Sequence, residues 1–513
     1  MALSPEVTLS RSNQPDSPTL PVENLPGKPR FRWTHLCLLA AIALFLLQTL
    51  PFLSYRWVTD ESWYAAPAYS LAHGNGMRDP ALGPNELENH FDARPPGTAL
   101  VIAAGFKLFG TGQIAARAGS VLAGLLVVVL VYRLSLEMFG VTGALCATFV
   151  MATDNLLVLT SRAARPEALT TMCIFAGLLA LQKYANLRKP AYAFICGLVM
   201  AAGTMFHITL LGYLISFGLL FLFLDKKQGD LTFRGVLSYS IGFAIGLVPF
   251  ALWIFTAPLG VEGFHAEFLN RAIKIPLLEK FLHEGKRYSD VLGLHMLSGH
   301  LGSLPVRLPV PLFFLLASCL LWKYKRSWFY LELVLLVPSI FWLIYTVNKS
   351  SRYVAILGPL FALAIGAAIR ATESHGRLSR WLTYGTAGIC LLQGAANFVL
   401  LHSASKANYS DLGSKLRTIV PANATVFGTI TFWLAFHDQP FISYERTTPL
   451  MAAETYGAQY FIVGDRMMTQ TGSDDWFYLK LNQDMGALEA RSKLVGEIVD
   501  PYYGDLKVFH LER

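Results

Sequence analysis

Charge is what this chain has least of: Asp, Glu, Lys and Arg make up 15% of its 513 residues, against roughly 25% in ordinary soluble domains. A water-soluble globule is thereby excluded as its main body. The cysteines Cys37, Cys146, Cys173, Cys196, Cys319 and Cys390 all fall inside long apolar runs. That excludes a disulfide framework for any soluble part, and their spacing offers no set of metal ligands. The first apolar run lacks a small-residue cleavage site and continues to full span length, so it does not read as a removable signal peptide. The Ser- and Pro-rich residues 1–32 before it are expected to form a disordered cytoplasmic tail. The net charge of +8 is distributed over short loops, where it marks orientation and leaves no place for nucleic acid.

What is present is apolar: 54% of residues are hydrophobic and 13% aromatic. Runs long enough to cross a bilayer, about 17 to 25 residues each, recur from Leu36 to Leu401 and then stop. About eleven spans are expected, near 34–53, 114–132, 142–160, 168–185, 191–207, 209–224, 235–257, 306–322, 329–346, 353–370 and 381–401. Gly97–Phe109 is too short to span and reads as an interfacial or re-entrant segment. The fold class is therefore an all-α polytopic membrane protein, its transmembrane domain at 33–401, followed by a small soluble α/β domain at 402–513. That last assignment rests on a helix-like stretch from Asp411 to Val420. Short β-branched or aromatic runs at 425–428, 441–444, 459–463, 494–499 and 506–511 support it.

Lys and Arg in short loops mark the cytoplasmic side. The basic loops around Lys28, Arg133, Arg188, Lys226, Lys325 and Arg377 alternate with the spans. This places the N-terminus inside and the C-terminal domain outside, in a multi-pass protein of the inner (plasma) membrane. The charges left over on the outer side then need another explanation. The first outer loop, 54–96, opens with the acidic pair Asp60 and Glu61 and also carries Asp92 and Arg94. Arg162, Arg165 and Glu167 lie between the third and fourth spans, and Lys349 and Arg352 between the ninth and tenth. Cations gathered near one membrane face, opposite carboxylates, suit an anionic membrane-embedded ligand such as a lipid phosphate.

The segments Asp60-Glu61-Ser62-Trp63-Tyr64, Leu71-Ala72-His73-Gly74-Asn75-Gly76 and Phe91-Asp92-Ala93-Arg94-Pro95-Pro96-Gly97 stand in that order. Together with Ser161-Arg162-Ala163-Ala164-Arg165-Pro166-Glu167-Ala168 and Lys349-Ser350-Ser351-Arg352-Tyr353, this pattern resembles membrane glycosyltransferases of the GT-C class. The nearest in pattern are the aminoarabinose transferases of lipid A and the protein O-mannosyltransferases. The resemblance implies transfer of a sugar from a polyprenyl-phosphate carrier to an acceptor on a lipid, glycan or protein, at the outer face and with inversion. It makes Asp60 the catalytic carboxylate, supported by Glu61. Arg94, Arg162, Arg165, Lys349 and Arg352 become candidates for the donor phosphate. Tyr64 and Tyr353, in the same motifs, complete the candidate substrate-binding set. In the aminoarabinose type the acid directly precedes the base, whereas here Ala93 separates Asp92 from Arg94. Asp92 is thereby left as a candidate ligand for a divalent ion or as a partner for Arg94.

Structural readings stand beside these. Asp60 is also placed to cap a helix starting at Glu61. Arg94-Pro95-Pro96 also reads as a stiff turn, and the other cations as headgroup anchors. His207 reads as a satisfied polar residue at a tight turn, and the basic segment 258–305 as a membrane-surface stretch or lid. A transporter or flippase of lipid-linked substrates is the competing function, although it should place its polar pairs near the bilayer midplane.

Overall fold

The first apolar run folds as helix α1, Phe31–Thr49, extended by a 3-10 turn over Leu50–Phe52. The computed structural model describes residues 31–81, 94–227, 233–257, 260–264, 276, 278–282, 309–345, 355, 357–404, 408–444, 447–464 and 476–512. The tail 1–30, Asp92, Lys349, Arg352, Tyr353 and most of 258–305 lie outside them.

Helix α2 spans Thr59–Ala72 and helix α3 Gly97–Phe109. At 13 residues and about 1.5 Å per residue, α3 is too short for a core about 30 Å thick, in keeping with its reading as a non-spanning segment. Helix α4, Gln113–Thr153, runs for 41 residues and merges two predicted spans across Gly140, whose φ of 71° and ψ of −174° break the helical geometry. Asp154 then stops the chain and caps the short helix α5, Asn155–Ser161, by accepting from Leu157 N at 2.7 Å. Helices α6, Glu167–Leu187, and α7, Pro190–Ala202, follow.

The expected count of eleven spans is not reached. Among the described residues four helices are long and apolar enough to cross a membrane: Trp33–Phe52, Gln113–Thr153, Glu167–Leu187 and Phe233–Thr256. Two local features bear on the difference. Two spans are counted within α4, and Gly203–Met205 tightens into a 3-10 turn that ends α7 early. Pro190–Met205, Leu210–Leu222, Pro309–Tyr324 and Gly358–Ala371 are apolar but shorter.

The last long helix, Gly376–Ala404, leads to the C-terminal domain. There the five short apolar runs form strands β1 (Val426–Gly428), β2 (Phe441–Ser443), β3 (Tyr460–Gly464), β4 (Ser492–Asp500) and β5 (Gly504–Leu511). The sheet order is β2-β1-β3-β5-β4. β1 lies parallel to β2 and β3, while β5 is antiparallel to β3 and β4. Helices Tyr409–Ile419 and Trp476–Glu489 complete the α/β unit.

This domain shares one hydrophobic core with the helices around the acidic pair. Trp57, Tyr64, Ala99, Ala115 and Ala164 pack in the same cluster as Tyr409, Trp433, Tyr503 and Val508. Below it, α4 must come very close to α5. A Cβ on Gly124 would overlap Ser161 Oγ and stand 2.8 Å from Phe45 Cζ of α1. The small residue lets three segments meet directly beneath the loop that carries Arg162 and Arg165. Gly124→Ala is therefore expected to destabilise the protein by about 1–3 kcal/mol through overpacking. Gly388→Ala, where a Cβ meets nothing within 4 Å, should leave the thermal midpoint in detergent unchanged.

Candidate active site

The acidic pair divides its work by depth. Helix α2 is preceded by Val58 in an extended conformation, so Asp60 stands inside the first turn and is not its cap. Glu61, three residues after Val58, closes that turn instead, its Oε2 accepting from Val58 N at 3.2 Å. Glu61 is 1% exposed, and its other acceptor sites are filled as well. Oε1 takes Arg117 Nε and Ala164 N, each at 2.8 Å, and Oε2 takes Arg117 Nη2 at 2.7 Å.

Arg117, near the start of α4, spends its remaining N–H groups on the chain that enters α2. Nη1 donates to Leu53 O and Tyr55 O at 2.8 and 2.7 Å, and Nη2 to Arg56 O at 2.6 Å. A guanidinium has five N–H donors, and all are used. Its flat face lies 5.3 Å from the centre of the Trp57 ring. Sequence reasoning missed this residue because it falls inside an apolar run counted as a span. An ionisable group inside such a run was the available signal.

Asp60 points the other way, with 48% of its side chain exposed. Its Oδ2 accepts a close hydrogen bond from Arg165 Nη1. Arg165 is buried, and it donates from Nη2 to Glu167 Oε1 at 2.6 Å and from Nε to Glu167 Oε1 and Oε2 at 2.9 and 3.2 Å. One cation thus lies between two carboxylates. The loop holding it is fixed by Ser120 Oγ, which donates to Arg165 O at 3.2 Å, and Glu167 opens α6, where a negative charge meets the positive end of the helix dipole.

Two further candidates surround this trio. Arg94 rests against α2, its guanidinium 5.5 Å from the Trp63 ring centre and 5.1 Å from that of Tyr64. The Pro95-Pro96 turn that follows it leads straight into α3. Tyr64 is buried, and burial raises its phenol pKa despite the opposing influence of Arg94 and Arg165. Arg162 lies with its guanidinium 5.7 Å from the Phe52 ring centre. Its Nε is buried without a hydrogen-bond partner among the described residues. Burial first, then the neighbouring Arg117 and Arg56, pushes its pKa down to about 9. Arg162 therefore keeps a buried donor in reserve, and Arg94 is held among the described residues by ring contacts alone.

His207 also belongs to this neighbourhood. Gly97 abuts the carbonyl of Met205 so closely that a Cβ would stand 2.5 Å from it, and Thr98 Oγ1 donates to Phe206 O at 3.2 Å. The histidine accepts from Thr209 N through Nδ1 at 3.2 Å, so the ring proton resides on Nε2. Burial pushes its pKa down to about 4, with Arg165 and Arg94 adding to the effect and Glu167 opposing it. Among the described residues no group of three or more His, Cys, Asp and Glu side chains is placed to hold a metal ion.

The C-terminal domain holds the approach to this site through a tyrosine hydroxyl. Tyr503 accepts from Trp57 N and donates to Trp57 O, both at 2.7 Å, while Trp57 Nε1 donates to Ser62 Oγ at 2.6 Å. The turn before Tyr503 is secured by Asp500 Oδ1, which accepts from Tyr502 N and Tyr503 N at 2.8 Å.

The family-model match and the fold neighbours together liken this chain to GT-C membrane glycosyltransferases. Residues 93–255 match the family described as dolichyl-phosphate-mannose-protein mannosyltransferase. In fold, the chain is similar to ArnT from Cupriavidus metallidurans, determined in the apo state and bound to undecaprenyl phosphate. The TM-score is 0.63, with 93% of this chain and 97% of that one covered, at 12% and 13% identity. The Archaeoglobus fulgidus oligosaccharyltransferase AglB, in complex with an inhibitory peptide and a dolichol-phosphate, gives a TM-score of 0.52 at 12% identity over 93% of this chain and 74% of that one. The same enzyme has been determined with zinc and sulfate. An uncharacterized protein of Aquifex aeolicus is 24% identical over 169 residues, and the match spans 33% of each chain.

The depressed pKa of His207 has a consequence for stability. Unfolded imidazole titrates near 6.5 and the folded one near 4, so between these values the unfolded chain binds the extra proton and stability falls as pH falls. The thermal midpoint is expected to drop on acidification through this window. His207→Gln should remove that part of the drop, read by comparing melts of the two proteins at about pH 4.5 and 7.5.

Proposed function

We propose that this chain is a membrane glycosyltransferase that takes a sugar from a polyprenyl-phosphate carrier and transfers it, at the outer face of the inner membrane, to a hydroxyl or phosphate of a cell-envelope lipid, glycan or protein. The observation that carries the reading is the half-exposed Asp60 held on a buried Arg165–Glu167 pair, beside Arg162 with an unfilled donor. The lipid phosphates named with the two structural neighbours are in keeping with it.

In this reading the acceptor oxygen attacks the anomeric carbon as the bond from that carbon to the carrier's phosphate oxygen breaks. The electron pair leaves with the phosphate, and the configuration inverts. Asp60 takes the acceptor proton as it becomes acidic in the transition state, when the acceptor is a hydroxyl. Arg165 serves a different purpose from the one its sequence position suggested. With Glu167 and Asp60 already on its guanidinium, it orients Asp60. Arg162, with Arg94 at the edge of α2, meets the charge that develops on the leaving phosphate. Lys349, Arg352 and Tyr353 remain proposed donor contacts. Glu61 acts by positioning, because all its acceptor sites face inward. A divalent ion at Asp92 draws support from the zinc found with the archaeal enzyme, and no step is routed through it.

The test uses full-length protein in detergent with a radiolabelled polyprenyl-phosphate sugar and envelope acceptors bearing a free hydroxyl. Asp60→Asn is expected to lower kcat by about 10²–10⁴ while leaving donor KM nearly unchanged. Full activity in that variant would remove Asp60 as the base.

A further inference from the structure

The C-terminal domain and the approach to α2 together line a half-open cavity of about 270 Å³. From the α2 side it is lined by Trp57, Val58 and Thr59, and from the domain chiefly by Thr431, Phe432, Tyr444 and Tyr502. We propose that this cavity seats a neutral saccharide ring of the acceptor and delivers a neighbouring hydroxyl to Asp60. The proposal rests on the glycosyltransferase reading above and extends it to the acceptor's chemical class.

The character of the wall selects the ligand. No residue lining the cavity carries a charge, so the seated group has no charge to be paired there. Hydroxyls and aromatic rings alternate around it, and the hydroxyls are already arranged as a chain. Thr429 Oγ1 donates to Thr431 Oγ1 at 3.3 Å, and Thr431 Oγ1 shares a 2.9 Å hydrogen bond with Thr59 Oγ1 across the domain boundary. A hydroxyl both donates and accepts, so such a chain can exchange hydrogen bonds with the rim of a polyol ring. Its C–H faces suit the aromatic surfaces of Phe432 and Tyr502.

Size points the same way. The cavity lies just below the roughly 300–1,000 Å³ of drug-sized sites, which fits one ring better than an extended chain. Rigidity is supplied from both sides: Asp500 fixes the backbone of Tyr502 and Tyr503, and the Tyr503 hydroxyl clamps both backbone atoms of Trp57. Gly504 makes the turn possible with a φ of 81°, in the left-handed region that favours glycine. Thr59 on the wall is followed directly by Asp60, and consecutive Cα atoms are about 3.8 Å apart, so the wall ends one residue from the proposed base. Arg56 lies 4.9 Å from the centre of the Tyr502 ring, which places a cation next to the seat but outside its lining.

Binding is measured apart from transfer, with full-length protein in lipid nanodiscs and saturation-transfer NMR. The probes are methyl α-mannopyranoside and methyl β-glucopyranoside, with an acetylated Ala-Thr-Ala amide as the peptide alternative. At least one glycoside is expected to receive saturation at its ring protons. Its affinity should weaken about tenfold in Tyr502→Ala, through loss of the aromatic platform, and about fivefold in Tyr444→Phe, which keeps the ring and the packing. Both variants are checked for an unchanged thermal midpoint. Asp60→Asn should bind the glycoside as well as the native protein does, so a failure of the assigned base and a failure of the seat give different results. Absence of glycoside binding, native-strength binding in both Tyr502→Ala and Tyr444→Phe, or binding of the peptide alone would overturn the proposal.

Discussion

The ion pair between Glu61 and Arg117 is the constraint on which the rest of the site depends. Both side chains are almost wholly buried, and removing charges from water at that depth is costly unless every lone pair and N–H group finds a partner. Here every one does. The partners come from the end of α1, the start of α2, the start of α4 and the loop after α5, so satisfying one pair fixes four segments. Asp60 inherits its position from this arrangement, since it follows Thr59 and precedes Glu61 in the first turn of α2.

Charge is then sorted by exposure. Glu61 and Arg117 neutralise each other inside the frame, and Arg165 is shared by Glu167 within and Asp60 at the surface. Only Asp60 of the three carboxylates presents much of itself to water, and Arg162 retains a buried donor beside it. The C-terminal domain is part of this frame: Tyr503 holds the backbone of Trp57, and Trp57 packs against Arg117 and bonds to Ser62. A domain that looked separable from composition alone thus supports the first turn of α2.

Much of this was legible in the chain and some was not, for identifiable reasons. The five strands emerge where short β-branched and aromatic runs stand between polar loops, because those runs have one obvious way to bury themselves. Asp60 and Glu61 were visible as carboxylates at the mouth of an apolar run. That Asp60 leads and Glu61 supports was also readable, from the family pattern; the burial of Glu61 on Arg117 was not, since depth depends on which side of α2 meets α4. Arg117 was hidden by its apolar neighbours, and its partner Glu61 lies 56 positions away. Arg165 was visible as a site residue with Glu167 two positions on, whereas its pairing with Asp60, 105 positions away, was not. The break at Gly140 falls where the sequence separates its second and third spans, whereas the 3-10 turn at Gly203 shortens α7 in a way that hydropathy windows do not register.

The most direct measurement of the account is a double-mutant cycle of stability on Glu61→Gln and Arg117→Met in purified protein. Each single change leaves a buried group without its partner and is expected to cost about 3–5 kcal/mol. The double variant should cost less than their sum by at least about 1 kcal/mol. Additive losses, or single losses no larger than those of an ordinary surface substitution, would contradict the claim that this pair holds the site together.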